Sequence, residues 1–275
     1  MEQREPQQKW HQEPHQEREA IIRVMSYNIH SGIGMDNEYD LDRIAGEIRE
    51  AGADIVGLQE VDMHWGKRSR FQDSVAMLAE QLGMHAYFAP IYELPPQNEG
   101  EPHRKFGVAL MSKFPIVRAS NRPMTRLSTL SEDRNRGPVT MAGVAETLLD
   151  VEGTEVAVYV VHLDYRPDPS VRIIQIGELL EMIAQVEGPK LLLGDFNAKP
   201  DAPELVPLFE TMKDSWQDVH GDGEGLTFPA DHPDRKIDYI LRSSHLRALS
   251  SFVTETNGSD HRPITTDFIL HNADR

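Results

Sequence analysis

A few carboxylate, amide and imidazole side chains interrupt or end the apolar runs of this chain, and chemistry has to be sought there. In Gly194-Asp195-Phe196-Asn197, alternation along an extended chain puts Asp195 and Asn197 on one side and turns Phe196 toward packing. Either an Asx-turn closes a buried strand at this point, or two polar groups meet at a strand end to act together. Gly258-Ser259-Asp260-His261-Arg262-Pro263 sets a carboxylate beside an imidazole. Carboxylate oxygen suits magnesium and imidazolium suits developing negative charge, although the fragment alone also fits a turn. Asp238, in Ile237-Asp238-Tyr239-Ile240, is a lone carboxylate among strand residues and is costly to bury without a partner. A nearby imidazole would be that partner, and the pairing would fix its orientation and favour its charged form. His162, closing Val160-Val161-His162, is either a satisfied core histidine or an active one. Glu60 in Leu58-Gln59-Glu60 and Asn28 in Ser26-Tyr27-Asn28 complete the set.

The elements needed to hold these groups can be read from periodicity. Residues 21–28 form a strand that ends in the Gly-rich loop 31–34, and residues 40–51 carry Leu41, Ile44, Ala45 and Ile48 at helical spacing with Asp40 as N-cap. Residues 54–60 form a second strand, so the chain opens strand, helix, strand, which is an α/β signature. A helix at 75–82, strands at 85–88, 106–112, 139–148 and 156–163, and a helix at 170–186 follow. The strand 190–194, a short helix at 202–208 and strands at 237–241 and 264–270 end the series. Residues 94–104 and 124–138 are polar and rich in turn-formers, and read as surface loops.

Bulk properties narrow the function. With 275 residues, 39% of them hydrophobic, one large domain over residues 20–275 is expected. Residues 1–19 are rich in Gln, Glu, Pro and His and read as a disordered polar leader, with His11 and His15 as solvated tail residues. The leader has no signal-peptide core and no apolar run reaches membrane-spanning length, so a cytoplasmic location without a transmembrane segment is the default expectation. The absence of cysteine rules out disulfides, zinc-thiolate centres and thiol nucleophiles, leaving oxygen and imidazole as metal ligands. A net charge of −17 repels long nucleic acids on average. No P-loop, no Gly-x-Ser-x-Gly elbow and no His-Glu-x-x-His helix occurs.

Taken in order, Tyr27-Asn28, Leu58-Gln59-Glu60, the strand to His162-Leu163, Gly194-Asp195-Phe196-Asn197, Ile237-Asp238-Tyr239-Ile240 and Ser259-Asp260-His261-Arg262-Pro263 resemble the endonuclease/exonuclease/phosphatase superfamily across nearly the whole chain after the leader. The resemblance implies a four-layer α/β/β/α sandwich of two packed mixed β-sheets. It implies a magnesium-dependent hydrolase of phosphate esters, with manganese as the alternative ion. By position, Glu60 corresponds to the principal metal ligand, with Asn28 and Asp260 close to the metal. Asp195 would orient or deprotonate the attacking water, Asn197 would bind the phosphate, Asp238 would pair with an imidazole, and His162 and His261 would donate to phosphoryl oxygens or the leaving group. Such hydrolysis needs a positioned water, a base and positive charge, and this inventory supplies all three.

The acidic balance favours a small-molecule or lipid-headgroup phosphodiester as substrate. The alternatives are a metal-dependent endo- or exonuclease acting on DNA or RNA, and a non-catalytic phosphate-binding module. Two further features resemble a bacterial subgroup of the superfamily: Gln59-Glu60-Val61-Asp62-Met63-His64 followed by Arg68, and Asn135-Arg136-Gly137-Pro138. These add His64, Arg68 and Arg136 as candidate substrate contacts, each equally readable as surface charge or a loop anchor. The oligomeric state is left open.

Overall fold

The computed structural model describes residues 20–133 and 136–270; the expected leader lies outside the described residues. In chain order the elements are β1 (Ala20–Asn28), α1 (Leu41–Ala51), β2 (Ile55–Met63), α2 (Ser74–Leu82), β3 (His85–Leu94), β4 (Arg104–Ser112), β5 (Ile116–Arg126), β6 (Val139–Val151) and β7 (Thr154–His162). They continue with α3 (Ser170–Ala184), β8 (Lys190–Asp195), α4 (Val206–Thr211), β9 (Lys213–Asp214), α5 (Ser215–His220), β10 (Asp238–Arg242), β11 (Leu246–Val253) and β12 (Ile264–Leu270). Two six-stranded mixed sheets result, ordered β11-β12-β1-β2-β4-β3 and β5-β6-β7-β8-β10-β9.

Each sheet is built around one parallel pair joined by a helical crossover and flanked by antiparallel neighbours. In the first sheet α1 connects β1 to β2, and in the second α3 connects β7 to β8. Alternation along these strands sorts the side chains. Ile22, Val24, Ile55, Val158, Val160, Leu191 and Leu193 fill the space between the sheets. Met25, Tyr27, Val56 and Leu58 turn the other way, onto Ile44 and Ile48 of α1 and Leu78 of α2. Tyr159, Val161 and Leu192 turn onto Ile176, Leu179 and Ile183 of α3. Three apolar interfaces between four layers give the expected sandwich.

Close approach of the sheets depends on Gly57: a Cβ there would lie 2.9 Å from Leu193 Cβ and 3.2 Å from Val160 Cγ2. Asp40 caps α1 as expected, its carboxylate accepting from the Arg43 backbone N–H at 3.0 Å.

Several elements differ from the sequence expectation. The polar segment assigned to a loop from residue 124 begins inside β5, an edge strand whose exposed side chains are Val117, Arg118, Ala119 and Pro123 and whose pairing with β6 shifts register beside Pro123. Charged, bulged edge strands lack the apolar alternation that reveals buried ones. β11, another edge strand interrupted by Ser250 and Ser251, and the short α5 escape periodicity for the same reason. β3 runs on to Leu94, beyond the expected end at residue 88.

Candidate active site

The carboxyl ends of the two parallel pairs lie at one end of the sandwich, where they face each other across the seam. Asn28 closes β1 opposite Gln59 in β2, and His162 closes β7 opposite Asp195 in β8. The antiparallel β10 adds Asp238 directly beside Asp195. The loop before β12 brings Ser259, Asp260 and His261, and it is fastened by the Ser259 hydroxyl, which donates to the Asn28 carbonyl at 2.7 Å. Strand carboxyl ends collect functional groups in α/β sheets because the crossovers leave their loops there.

The side chains meet in one network. Asn28 Nδ2 donates to Asp195 Oδ2 at 3.1 Å and to Glu60 Oε1 at 3.3 Å, while Asn28 Oδ1 accepts from the His30 backbone N–H at 3.1 Å. The amide orientation is therefore fixed, since the carboxylates need the donor and the backbone N–H needs the acceptor. His162 Nε2 stands 3.5 Å and His261 Nε2 3.7 Å from the same Asp195 Oδ2. The other carboxylate oxygen, Oδ1, accepts from the Asn197 backbone N–H at 2.8 Å. His261 Nδ1 donates to Asp238 Oδ2 at 2.9 Å. Asn28, Asp195, Asp238 and His261 are buried, whereas Glu60, His162, Asn197 and Asp260 are half-buried and open toward solvent.

Backbone strain accompanies two of these positions. Glu60 sits at a β-bulge between Leu58 and Val61 with φ +56°, and Asn197 has φ +51°. Left-handed non-glycine residues cost about 1–3 kcal/mol each, and bulges re-aim side chains beside active sites. Here the bulge turns Glu60 toward Asn28. Asn197 Nδ2 donates to the Leu163 carbonyl at 3.1 Å, and its second amide hydrogen has no partner among the described residues.

Burial, followed by the neighbouring Asp238 charge, pushes Asp195 up to about 6 against the lowering pull of His261 and His162. Burial works against the charge of His261, but Asp238 and Asp195 together outweigh it and raise the imidazole to about 10. The site thus holds a carboxylate that becomes a base near neutrality beside an imidazolium that stays charged. Asp238 Oδ1 is buried without a hydrogen-bond partner, so one lone pair at the floor of the site is unfilled.

Asp195, Asp238 and His261 bring ligand-type atoms within 4.8 Å of one another. The trio is better described as an ion-pair network than as a metal centre, because His261 Nδ1 is committed to Asp238 and a protonated imidazole has no lone pair to give. Glu60 and Asp260 fit a hard divalent cation better. Among the described residues, Glu60 Oε2 accepts no hydrogen bond, and the Asp260 carboxylate engages only through Oδ1, with Ser259 Oγ at 3.4 Å and His30 Nδ1 at 3.7 Å. Both carboxylates keep open oxygens toward solvent, the ligand type such ions prefer.

Three expected substrate contacts lie outside this network. His64 Nδ1 is hydrogen-bonded to the Phe71 carbonyl at 2.9 Å. Arg68 grips the buried Asp62 with two bonds of 2.9 and 2.8 Å. Arg136 pairs with Asp133 at 2.9 Å, its side chain 72% exposed. Sequence reading also missed contributors. Arg126 is buried, donates to the His162 carbonyl at 2.9 Å and so fixes the end of β7. The Phe228 ring packs 4.6 Å from that of His261. Arg126 lies in the polar stretch read as a loop, and neither residue carries a local motif.

The Endonuclease/Exonuclease/phosphatase family profile matches residues 25–261, and the chain belongs to that family. Members of the family hydrolyse phosphoester bonds and generally depend on divalent metal. The crystal structure of an endonuclease/exonuclease/phosphatase from Beutenbergia cavernae DSM 12333 is 26% identical, with a TM-score of 0.75 over 92% of this chain and 72% of that chain. The human Nocturnin catalytic domain with bound sulfate anion is 21% identical, with a TM-score of 0.67 over 92% of this chain and 97% of that one, which speaks to the fold. Protein cwh43 of Schizosaccharomyces pombe (strain 972 / ATCC 24843) is 27% identical over 181 residues, 66% of this chain; the chain spans 17% of the length of that relative. No helix among the described residues is long and apolar enough to cross a membrane.

Proposed function

We propose that the chain is a magnesium-dependent phosphodiesterase acting on a small-molecule or lipid-headgroup phosphodiester. The observation that carries this reading is the single connected network from Glu60 through Asn28 and Asp195 to His261 and Asp238. Asp195 is the base: Oδ1 accepts from the Asn197 backbone and Oδ2 from Asn28 Nδ2, and the carboxylate keeps a lone pair for a proton. It accepts the proton of the water that attacks phosphorus. His261, held charged by Asp238, and His162 donate to the phosphoryl oxygens and the departing oxygen, and the second amide hydrogen of Asn197 completes the phosphate cradle. Glu60 and Asp260, with Asn28 beside them, would hold the magnesium ion, which when bound supplies further positive charge to the phosphoryl oxygens. Manganese would satisfy the same ligands. The net charge of −17 favours small esters over polynucleotides.

The test is hydrolysis of an aryl phosphodiester, its monoester, a lipid-headgroup diester and plasmid DNA, each with magnesium, manganese or chelator. Metal-dependent cleavage of small or lipid diesters that is lost in Asp195→Asn supports the proposal. Preferential cleavage of DNA would replace it with a nuclease, and preference for the monoester with a phosphatase.

A further inference from the structure

A cavity of about 440 Å³ opens beyond the end of β2, lined among others by His64, Lys67, Phe71, Glu101, Pro102 and Arg104. Cations elsewhere in this acidic chain are commonly paired: Arg23 with Asp267, Arg43 with Asp36, Arg172 with Glu204, Lys236 with Asp214 and Arg242 with Asp218. At this cavity they are not. Among the described residues, the Lys67 ammonium has no carboxylate partner, and Arg104 Nε donates only to the Pro95 carbonyl at 2.9 Å. His64 Nε2 is 4.0 Å from its nearest carboxylate, Asp73. The one carboxylate in the lining, Glu101, accepts from Asn98 through both oxygens, at 3.1 and 2.7 Å.

The loop is braced before any ligand arrives. Arg68 is locked onto the buried Asp62, and its guanidinium lies 5.9 Å and 5.5 Å from the Trp65 and Phe106 rings. Arg70 and Phe71 both adopt left-handed backbone conformations, φ +53° and +56°. Phe71 N–H bonds to the Gly66 carbonyl at 2.9 Å. Arg68 is thus a strut for the loop that presents Lys67. His64 follows Glu60 by four residues, a reach of at most about 13 Å along an extended chain.

Resting on the reading of the site as a hydrolase of small phosphoesters, we infer that this cavity is a second phosphate subsite. The substrate is a phosphoester whose non-scissile end carries another phosphate, bound by Lys67 and Arg104 beside the apolar faces of Phe71 and Pro102. Two cations without a carboxylate partner among the described residues, Lys67 on the braced loop and Arg104 at the start of β4, attract and orient such a group with little reorganisation.

The experiment compares an alkyl bisphosphate, at the tightest-binding of a graded set of spacer lengths, against the corresponding alkyl monophosphate by calorimetric titration of the whole protein. The wild type should bind the bisphosphate about tenfold more tightly, Lys67→Ala should erase that advantage without changing monophosphate affinity, and Lys67→Arg should keep most of it. Equal affinity for the two compounds in the wild type would overturn the inference. So would a Lys67→Ala variant that weakens both compounds alike. Turnover is measured separately on aryl phosphodiesters with and without a terminal phosphate. An advantage in binding with no turnover of either ester would refute the hydrolase reading while leaving the subsite standing, and turnover without the binding advantage would do the reverse.

Discussion

Asp238→Asn isolates the electrostatics of the site, because it removes a charge while keeping an acceptor for His261 Nδ1. The imidazole stands at about 10 against 6.5 for an ordinary histidine. The charged imidazole is therefore favoured in the folded protein. Burial opposes the charge, so the whole surplus comes from the carboxylates, and Asp238 at 2.9 Å is the nearer of the two. Without it, Asp195 at 3.7 Å and the weaker influence of Asp260 remain to balance desolvation, and the His261 pKa should fall by roughly 2 units. A group whose folded pKa lies above its unfolded value stabilises fully below about 6.5 and loses that contribution as pH climbs toward 10. In the variant, both the stabilisation and the charged donor should disappear at lower pH.

The assay is kcat and KM for an aryl phosphodiester across the pH range, with thermal unfolding followed in parallel. In the wild type the rate should rise as Asp195 deprotonates near 6 and fall as His261 deprotonates near 10. In Asp238→Asn the descending limb should move down by roughly 2 units, and kcat above it should drop about 10²-fold with KM little changed. A descending limb that stays near 10, or a loss confined to KM, would refute the view that Asp238 keeps His261 charged for the transition state.

Asp195→Asn should abolish hydrolysis, by about 10²–10⁴-fold or more, while the fold persists with a stability loss of about 1–3 kcal/mol in thermal unfolding, since the amide NH2 must face one of the two donors, Asn28 Nδ2 or the Asn197 N–H, that the carboxylate satisfies. Glu60→Gln should raise the magnesium concentration needed for half-maximal rate; an unchanged metal titration would remove Glu60 from the ligand set. Gly57→Ala forces a Cβ against Leu193 and Val160 at the seam between the sheets and should cost about 1–3 kcal/mol in urea unfolding.

The site was legible in the sequence wherever a strand that is buried on both faces ends in a polar residue. Glu60, His162, Asp195 and Asp238 each break an apolar run, and the central position of β2, β7, β8 and β10 is what makes those runs apolar. β5 and β11 lie at sheet edges, where half of each strand faces water and no such contrast exists. Sequence also could not say what a cation already holds. Arg68 carries the same charge whether free or bound to Asp62, and only the fold reveals that its Nε and Nη2 are committed there while Lys67, next to it, has no carboxylate partner among the described residues. Arg126, which fixes the His162 carbonyl from β5, belongs to a strand that itself went unrecognised.

The topology explains why the network assembles at this end of the molecule. The first sheet contributes Asn28 and Glu60, and its β12 is preceded by the loop of Asp260 and His261. The second contributes His162, Asp195 and Asp238. The carboxylates proposed to hold metal therefore belong to one sheet and the proposed base to the other, and the two halves of the network meet through Asn28 to Asp195, His261 to Asp195 and His261 to Asp238. Catalytic geometry is then set by the spacing of the sheets, which the side-chain volumes of Ile55, Val160 and Leu193 and the missing side chain of Gly57 jointly define. Because close-packed interiors deform little, a core that holds this spacing also holds Asp195 and His261 at fixed positions toward Glu60 before substrate arrives, which is what electrostatic preorganisation of a hydrolytic site requires.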